Sequence, residues 1–152
     1  MTGISDILGF NFVVIGPTLT LLATALILLF VTITISTPTF VKKYVTLFGI
    51  FSTVFAVFLK FGLFLSDGVS SYFSEKILLD EFALVGNVLI VLVLLFTFNS
   101  FWKTSSQIDN KTTEALILIL MSASGFLLMV DSENFIMLFI GLEIGSISLY
   151  AL

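Results

Sequence analysis

The chain alternates long runs of apolar residues with short polar stretches. Five apolar runs occur, at about residues 12 to 35, 44 to 65, 82 to 99, 115 to 130 and 134 to 152. Runs of about 20 apolar residues are typical of helices that cross a bilayer. The runs are continuous and lack the period-two alternation of a membrane β-strand. The pattern predicts an all-α polytopic membrane protein with about five transmembrane helices, forming a single membrane domain over residues 1 to 152.

Composition narrows the chemistry that this chain can perform. It is 59% hydrophobic and 11% charged, and it contains no cysteine or histidine. Disulfides, thiolate or imidazole metal sites and Cys or His nucleophiles are therefore excluded. The longest polar connection, residues 66 to 81, leaves no room for a nucleotide-binding domain. We expect no cofactor or metal in this chain, and as partners we expect membrane lipids and other membrane subunits, with no nucleic acid.

Charged residues divide unequally between the two predicted sides of the membrane. The amino terminus, the 66 to 81 connection and the 131 to 133 turn fall on one side, which is acidic. The positive-inside rule places the lysine-rich side in the cytoplasm or matrix and the amino terminus outside. The acidic side holds Asp6, Asp67, Glu75, Asp80, Glu81, Asp131 and Glu133 against Lys76, and the other side holds Lys42, Lys43, Lys103 and Lys111 against Asp109 and Glu114.

Glu143 is the strongest functional candidate, because it lies in the middle of the last apolar run. A carboxylate at such a depth costs a few kcal/mol, on the order of 3, and usually faces a protein interior or a hydrated path. The interpretation we favour is a proton-translocation site. The alternative is a protonated carboxyl that only links neighbouring helices by a hydrogen bond.

Small residues mark the opposite face of the same predicted helix. Gly141, Gly145 and Ser148 share this face, which permits the close approach of another helix. We expect ordinary helix packing there, partly against another membrane subunit. Since Glu143 points nearly the other way, we also expect the fifth helix to be enclosed by protein on both sides.

Lys60 lies within the second apolar run, about five residues from its outer end. Two interpretations are open. One is a proton-relay lysine, and the other is an ammonium group that reaches the nearby interface along its flexible stem. We favour the interfacial one.

Two motifs carry a resemblance to a known family. The segment from Leu138 to Tyr150, which reads Leu-Phe-Ile-Gly-Leu-Glu-Ile-Gly-Ser-Ile-Ser-Leu-Tyr, resembles subunit 2 (subunit N in bacteria) of the proton-pumping NADH:ubiquinone oxidoreductase, respiratory complex I. Asp80-Glu81-Phe82-Ala83, at the start of the third run, resembles the family's entry to its third helix. The five-run architecture fits the family over the whole chain.

The resemblance implies a role in the respiratory chain. Glu143 matches a fifth-helix glutamate that acts in proton translocation with a lysine on the family's seventh helix. NADH, FMN, iron–sulfur clusters and quinone are then expected on other subunits, in the mitochondrial inner membrane or, alternatively, the bacterial plasma membrane. The amino terminus is expected on the intermembrane-space or periplasmic side.

The sequence departs from the family by stopping at the fifth helix. We expect a separate chain among the other complex I membrane subunits to supply the later helices, or pumping to have been lost. Two other functions stay open. The chain resembles other antiporter-like subunits of complex I and of multisubunit cation/proton antiporters, and it also fits a non-catalytic membrane assembly or scaffold subunit.

Overall fold

The computed structural model describes residues 12–34, 39–72, 77–104 and 110–152. Five long helices fall on the five predicted apolar runs, and two short strands lie between the second and third helices. This confirms the prediction of an all-α membrane protein. The elements are α1 (Gly16–Thr34), α2 (Thr39–Asp67), β1 (Ser70–Tyr72), β2 (Ile77–Leu79), α3 (Glu81–Thr104), α4 (Asn110–Val130) and α5 (Phe135–Ala151).

Four of these helices are long and apolar enough to cross a membrane. Their candidate spans are Gly16–Ile33, Tyr44–Ser66, Glu81–Ser100 and Thr112–Val130. Helix α5 is shorter, and it begins after its cap Asn134, whose Oδ1 accepts from the Ile136 amide over 2.9 Å. Its 17 residues extend about 25 Å at 1.5 Å per residue. This is slightly less than the hydrocarbon thickness of about 30 Å.

The connection between α2 and α3 folds into a small antiparallel hairpin that the hydrophobic pattern did not predict. Ser70 pairs with Leu79, and Tyr72 with Ile77. The Leu78 amide donates to the Asp131 backbone carbonyl over 2.9 Å, which ties β2 to the turn between α4 and α5. Strands of three residues are too short to leave a periodic signal, and this pair is stabilised by a contact distant in sequence.

The hairpin contact places the 66 to 81 connection and the 131 to 133 turn at one end of the bundle, which we call the hairpin end. The charge pattern predicted this shared side. Residues 1 to 11, which we also assigned to that side, lie outside the described residues. The orientation of the bundle relative to the membrane stays a prediction.

The core lies where α1 packs against α2 and α4. It is built from buried aliphatic side chains. Large apolar side chains such as Phe48 and Phe96 point outward, which suits helices whose solvent is lipid. Among the described residues, α4 is the one helix with which α5 makes a major contact. The buried core residues are Leu21, Ala25, Leu28, Ile50, Leu94, Ile117, Leu120, Ala123 and Leu127.

Candidate functional site

Helix α5 places Glu143 on the wall of an open groove. The side chain is half-buried. The groove has a volume of about 320 Å³, and apart from Ser148 its other walls are apolar residues that include Met121 of α4 and Phe139 and Ile147 of α5. Among the residues that the structure describes, no side chain or backbone group pairs with the Glu143 carboxylate. The groove thus presents an acidic group in mostly apolar surroundings, without a counter-charge from the described residues.

The small-residue face of α5 forms a close contact, as predicted, but with α4 of the same chain. A Cβ atom added to Gly125 of α4 would lie 2.4 Å from the Gly145 amide nitrogen, and one added to Gly141 would lie 2.7 Å from the Met129 nitrogen. The backbones thus touch where side chains are absent. The expectation that this face holds another subunit is wrong, because α4 already fills it.

Among the described residues, nothing covers the opposite flank of α5. Ile136, Ile147 and Tyr150, which share the side of Glu143, are 66%, 60% and 88% exposed. The expectation that α5 is enclosed on both sides is therefore not met by these residues alone, since no described helix packs on this flank. Whatever completes the environment of Glu143 comes from outside the described bundle.

Lys60 belongs to a second polar site, at the hairpin end. Its side chain is 0% exposed, and its Nζ donates to Asp131 Oδ1 over 2.5 Å. The interpretation of Lys60 as an ammonium group reaching the interface is wrong, because helices and the α4–α5 turn enclose it beside a carboxylate. The contact with the carboxylate offsets part of the cost of removing the ammonium group from water.

Asn87 of α3 completes this site. Its Nδ2 donates to Asp131 Oδ1 over 2.7 Å and to the Ala83 carbonyl over 2.8 Å. Within the described part of the chain, Asn87 Oδ1 and Asp131 Oδ2 are buried with no hydrogen-bond partner. Burial raises the pKa of Asp131 above its usual range, while Lys60 and then Asn87 act in the opposite direction.

Asp80 connects the buried site to the surface. It is half-buried, and its Oδ1 accepts from the Ala83 amide over 2.7 Å at the start of α3. The Ala83 carbonyl accepts from Asn87, so the two backbone groups of Ala83 contact Asp80 on one side and Asn87 on the other. Asp80 also acts electrostatically on both Lys60 and Asp131. We name Lys60, Asn87 and Asp131 the buried polar cluster.

Sequence reasoning missed Asn87 and the role of Asp131. Asn87 could have been recognised from the sequence, because it is a lone amide near the start of an apolar run. A buried amide needs hydrogen-bond partners, so its position indicates a polar contact within the bundle. Asp131 looked like an ordinary turn residue. The described residues contain no group of three or more His, Cys, Asp or Glu placed to hold a metal ion. The chemistry available to Glu143 and the cluster is proton binding and ion pairing.

Sequence comparisons find several bacterial relatives. The chain is 31% identical over 144 residues to NADH-quinone oxidoreductase subunit N of Sulfurovum sp., covering 93% of this chain and 28% of the relative. It is 31% identical over 100 residues to subunit N of Campylobacter concisus, covering 65% and 20%. With subunit N 1 of Solibacter usitatus the identity is 36% over 80 residues, covering 53% and 16%.

In each of these matches the chain corresponds to only a small part of the relative. The chain spans between about a sixth and somewhat over a quarter of these three relatives. No family model matches the chain. No solved structure matches it either.

Proposed function

The chain is a homologue of NADH-quinone oxidoreductase subunit N, and on that premise we propose that it is a membrane-arm subunit of a proton-translocating NADH–quinone oxidoreductase, with Glu143 as a proton-carrying residue. The observation that supports this role is the position of Glu143. It is a half-buried carboxylate within an apolar helix, unpaired among the described residues and facing an open groove. Intramembrane carboxylates in such settings mark ion or proton paths.

The proposed chemistry is reversible proton binding. Glu143 takes up a proton when its surroundings disfavour charge, and it releases the proton when a positive group approaches or water enters the groove. The apolar walls formed by Met121, Phe139 and Ile147 keep the carboxyl sensitive to such changes, because charges interact strongly where water is scarce. The residues of this chain bind and move the proton, and redox chemistry is assigned to other subunits.

The open flank of α5 requires further helices to cover Glu143 if it is to carry protons through the membrane. The matched region covers 28% of the Sulfurovum relative, so most of that protein's length has no counterpart in these 152 residues. We propose that helices equivalent to part of that length cover Glu143 and supply the positive group, whichever polypeptide carries them. The predicted separate chain, and the predicted lysine on it, stay predictions.

The same relatives support a proposal for the membrane and the assembly in which the chain works. We propose an energy-transducing membrane as the location, and the bacterial relatives favour the plasma membrane over the mitochondrial inner membrane. NADH, FMN, iron–sulfur clusters and quinone are proposed to lie on other subunits of the assembly. The relatives are named subunit N, which favours this subunit over the other antiporter-like subunits.

The test is Glu143→Gln in the assembled complex, reconstituted in sealed vesicles. Glutamine keeps the shape and can still hydrogen-bond, but it cannot ionise. We expect normal assembly with less proton translocation per NADH oxidised. Glu133→Gln, at an exposed position of the α4–α5 turn, is the matched control and should pump normally. A Glu143→Gln complex that assembles and pumps like the parent would leave this carboxyl a structural role only.

A further inference from the structure

In the buried polar cluster the two oxygens of Asp131 differ in their hydrogen bonds. Both donors, Lys60 Nζ and Asn87 Nδ2, are directed to the same oxygen, Asp131 Oδ1. The other oxygen, Oδ2, is buried and accepts no hydrogen bond from any described residue. A buried carboxylate with only structural duties is expected to have both oxygens satisfied, because an unsatisfied charged acceptor is costly.

We propose that Asp131, held by Lys60 and Asn87, is a second proton-binding site, at the hairpin end of the bundle and separate from Glu143, with Oδ2 as the atom that takes up the proton. Uptake forms one O–H bond on Oδ2, while Oδ1 continues to accept from Lys60 and Asn87. Release returns the proton and restores the carboxylate. The bound proton neutralises the carboxylate, which removes the cost of burying its negative charge.

The neighbouring charges fit this role. The ionised pair of Lys60 and Asp131 is neutral, so uptake leaves a net positive charge on the cluster. Asp80 lies near enough to act on both residues, and its negative charge offsets that positive charge. Burial raises the pKa of the Asp131 carboxyl, in the direction that favours the protonated form. These are the charged groups that the described residues bring to the cluster from α2, α3 and the α4–α5 turn.

One charged neighbour of the cluster reaches the surface at the hairpin end. Asp80 is half-buried, unlike Lys60, Asn87 and Asp131, and it is linked to Asp131 through Ala83 and Asn87 by hydrogen bonds of 2.7 to 2.8 Å. The hairpin covers the same end, since Leu78 donates to the backbone of Asp131. We place the entry of protons at this end of the bundle, beside Asp80, because Asp80 is the charged neighbour of the cluster that reaches the surface.

The experiment is an infrared pH titration of the full chain in its membrane assembly, with aspartate labelled by carbon-13. The label shifts aspartate carbonyl bands away from those of glutamate. We expect a protonated-aspartate band that persists to a higher pH than the bands of exposed aspartates. This band should be lost in Asp131→Asn and retained in Glu143→Gln and in Glu133→Gln.

The donors provide a second readout. Asn87→Leu removes a hydrogen bond from the ionised carboxylate, so the titration midpoint of the band should move to higher pH. If Asp131→Asn does not fold, Lys60→Gln with Asp131→Asn leaves no unpaired buried charge and serves in its place. A wild-type spectrum without such a band, or a band unchanged in the Asp131 variants, would overturn the proposal and make the pair a static contact. Normal pumping by Glu143→Gln would refute the function proposed for Glu143 without affecting this band.

Discussion

Lys60 and Asp131 are 71 positions apart in the sequence, yet Lys60 Nζ and Asp131 Oδ1 lie 2.5 Å apart at the hairpin end of the bundle. Both side chains are almost completely removed from the surface, at 0% and 1% exposure. The pair joins α2 to the α4–α5 turn, and Asn87 adds α3 to the same contact. Two apolar helices and the α4–α5 turn are thus connected through one carboxylate oxygen, and this linkage has consequences for stability.

The first prediction concerns the pair itself. Asp131→Ala should lower the free energy of unfolding by about 3 to 5 kcal/mol, because it leaves a buried ammonium group without its partner. Replacing both residues with Lys60→Met and Asp131→Leu should restore most of that loss. Denaturant titration of the chain in lipid or detergent measures both, with Glu133→Ala as the exposed control. Lys60→Met and Asp131→Leu measured singly complete the cycle, and a loss in the double variant equal to the sum of the two single losses would show that the residues do not interact energetically.

The second prediction concerns the contact between α4 and α5. Gly125→Ala places a methyl group 2.4 Å from the Gly145 backbone nitrogen, and backbone cannot yield as a side chain can. We expect a loss of about 1 to 3 kcal/mol in the free energy of unfolding. Gly62→Ala, on α2, meets no atom within 4 Å and should be neutral or slightly stabilising. Similar stabilities for the two variants would refute the close helix contact.

The third prediction concerns orientation. A cysteine at Ser71, in the hairpin, should react with an impermeant maleimide added from the outer side, whereas one at Ser105 should not. The chain has no native cysteine, so labelling has no background from this protein. The physical basis is the excess of lysines on the other side of the membrane. The opposite labelling pattern would reverse the topology.

The fourth prediction concerns the open flank of α5. A spin label at Ile147, which is 60% exposed in this chain, should become as inaccessible to oxygen in the assembled complex as one at buried Ala123. Helices that cover Glu143 would exclude the lipid phase, where oxygen concentrates. High oxygen accessibility at Ile147 in the assembly would mean that this flank faces lipid, contrary to the proposed covering of the groove.

The sequence determined the architecture, because in a bilayer each backbone amide must be satisfied within its own segment, so a long apolar run forms a helix whatever surrounds it. It also indicated Glu143 and the small-residue face of Gly141 and Gly145, since both follow from residue type and helical spacing within one element. These features are local, and one run of residues is enough to predict them.

Only the tertiary structure decided which neighbours those residues meet. Gly145 packs on α4 of its own chain, Lys60 pairs with Asp131 instead of extending to the interface, and the 66 to 81 connection forms a hairpin on the α4–α5 turn. The hydrophobic pattern of a membrane helix does not specify its partners, because lipid and a neighbouring helix are equally apolar. Contacts between polar groups distant in sequence therefore appear only when the helices are assembled in three dimensions.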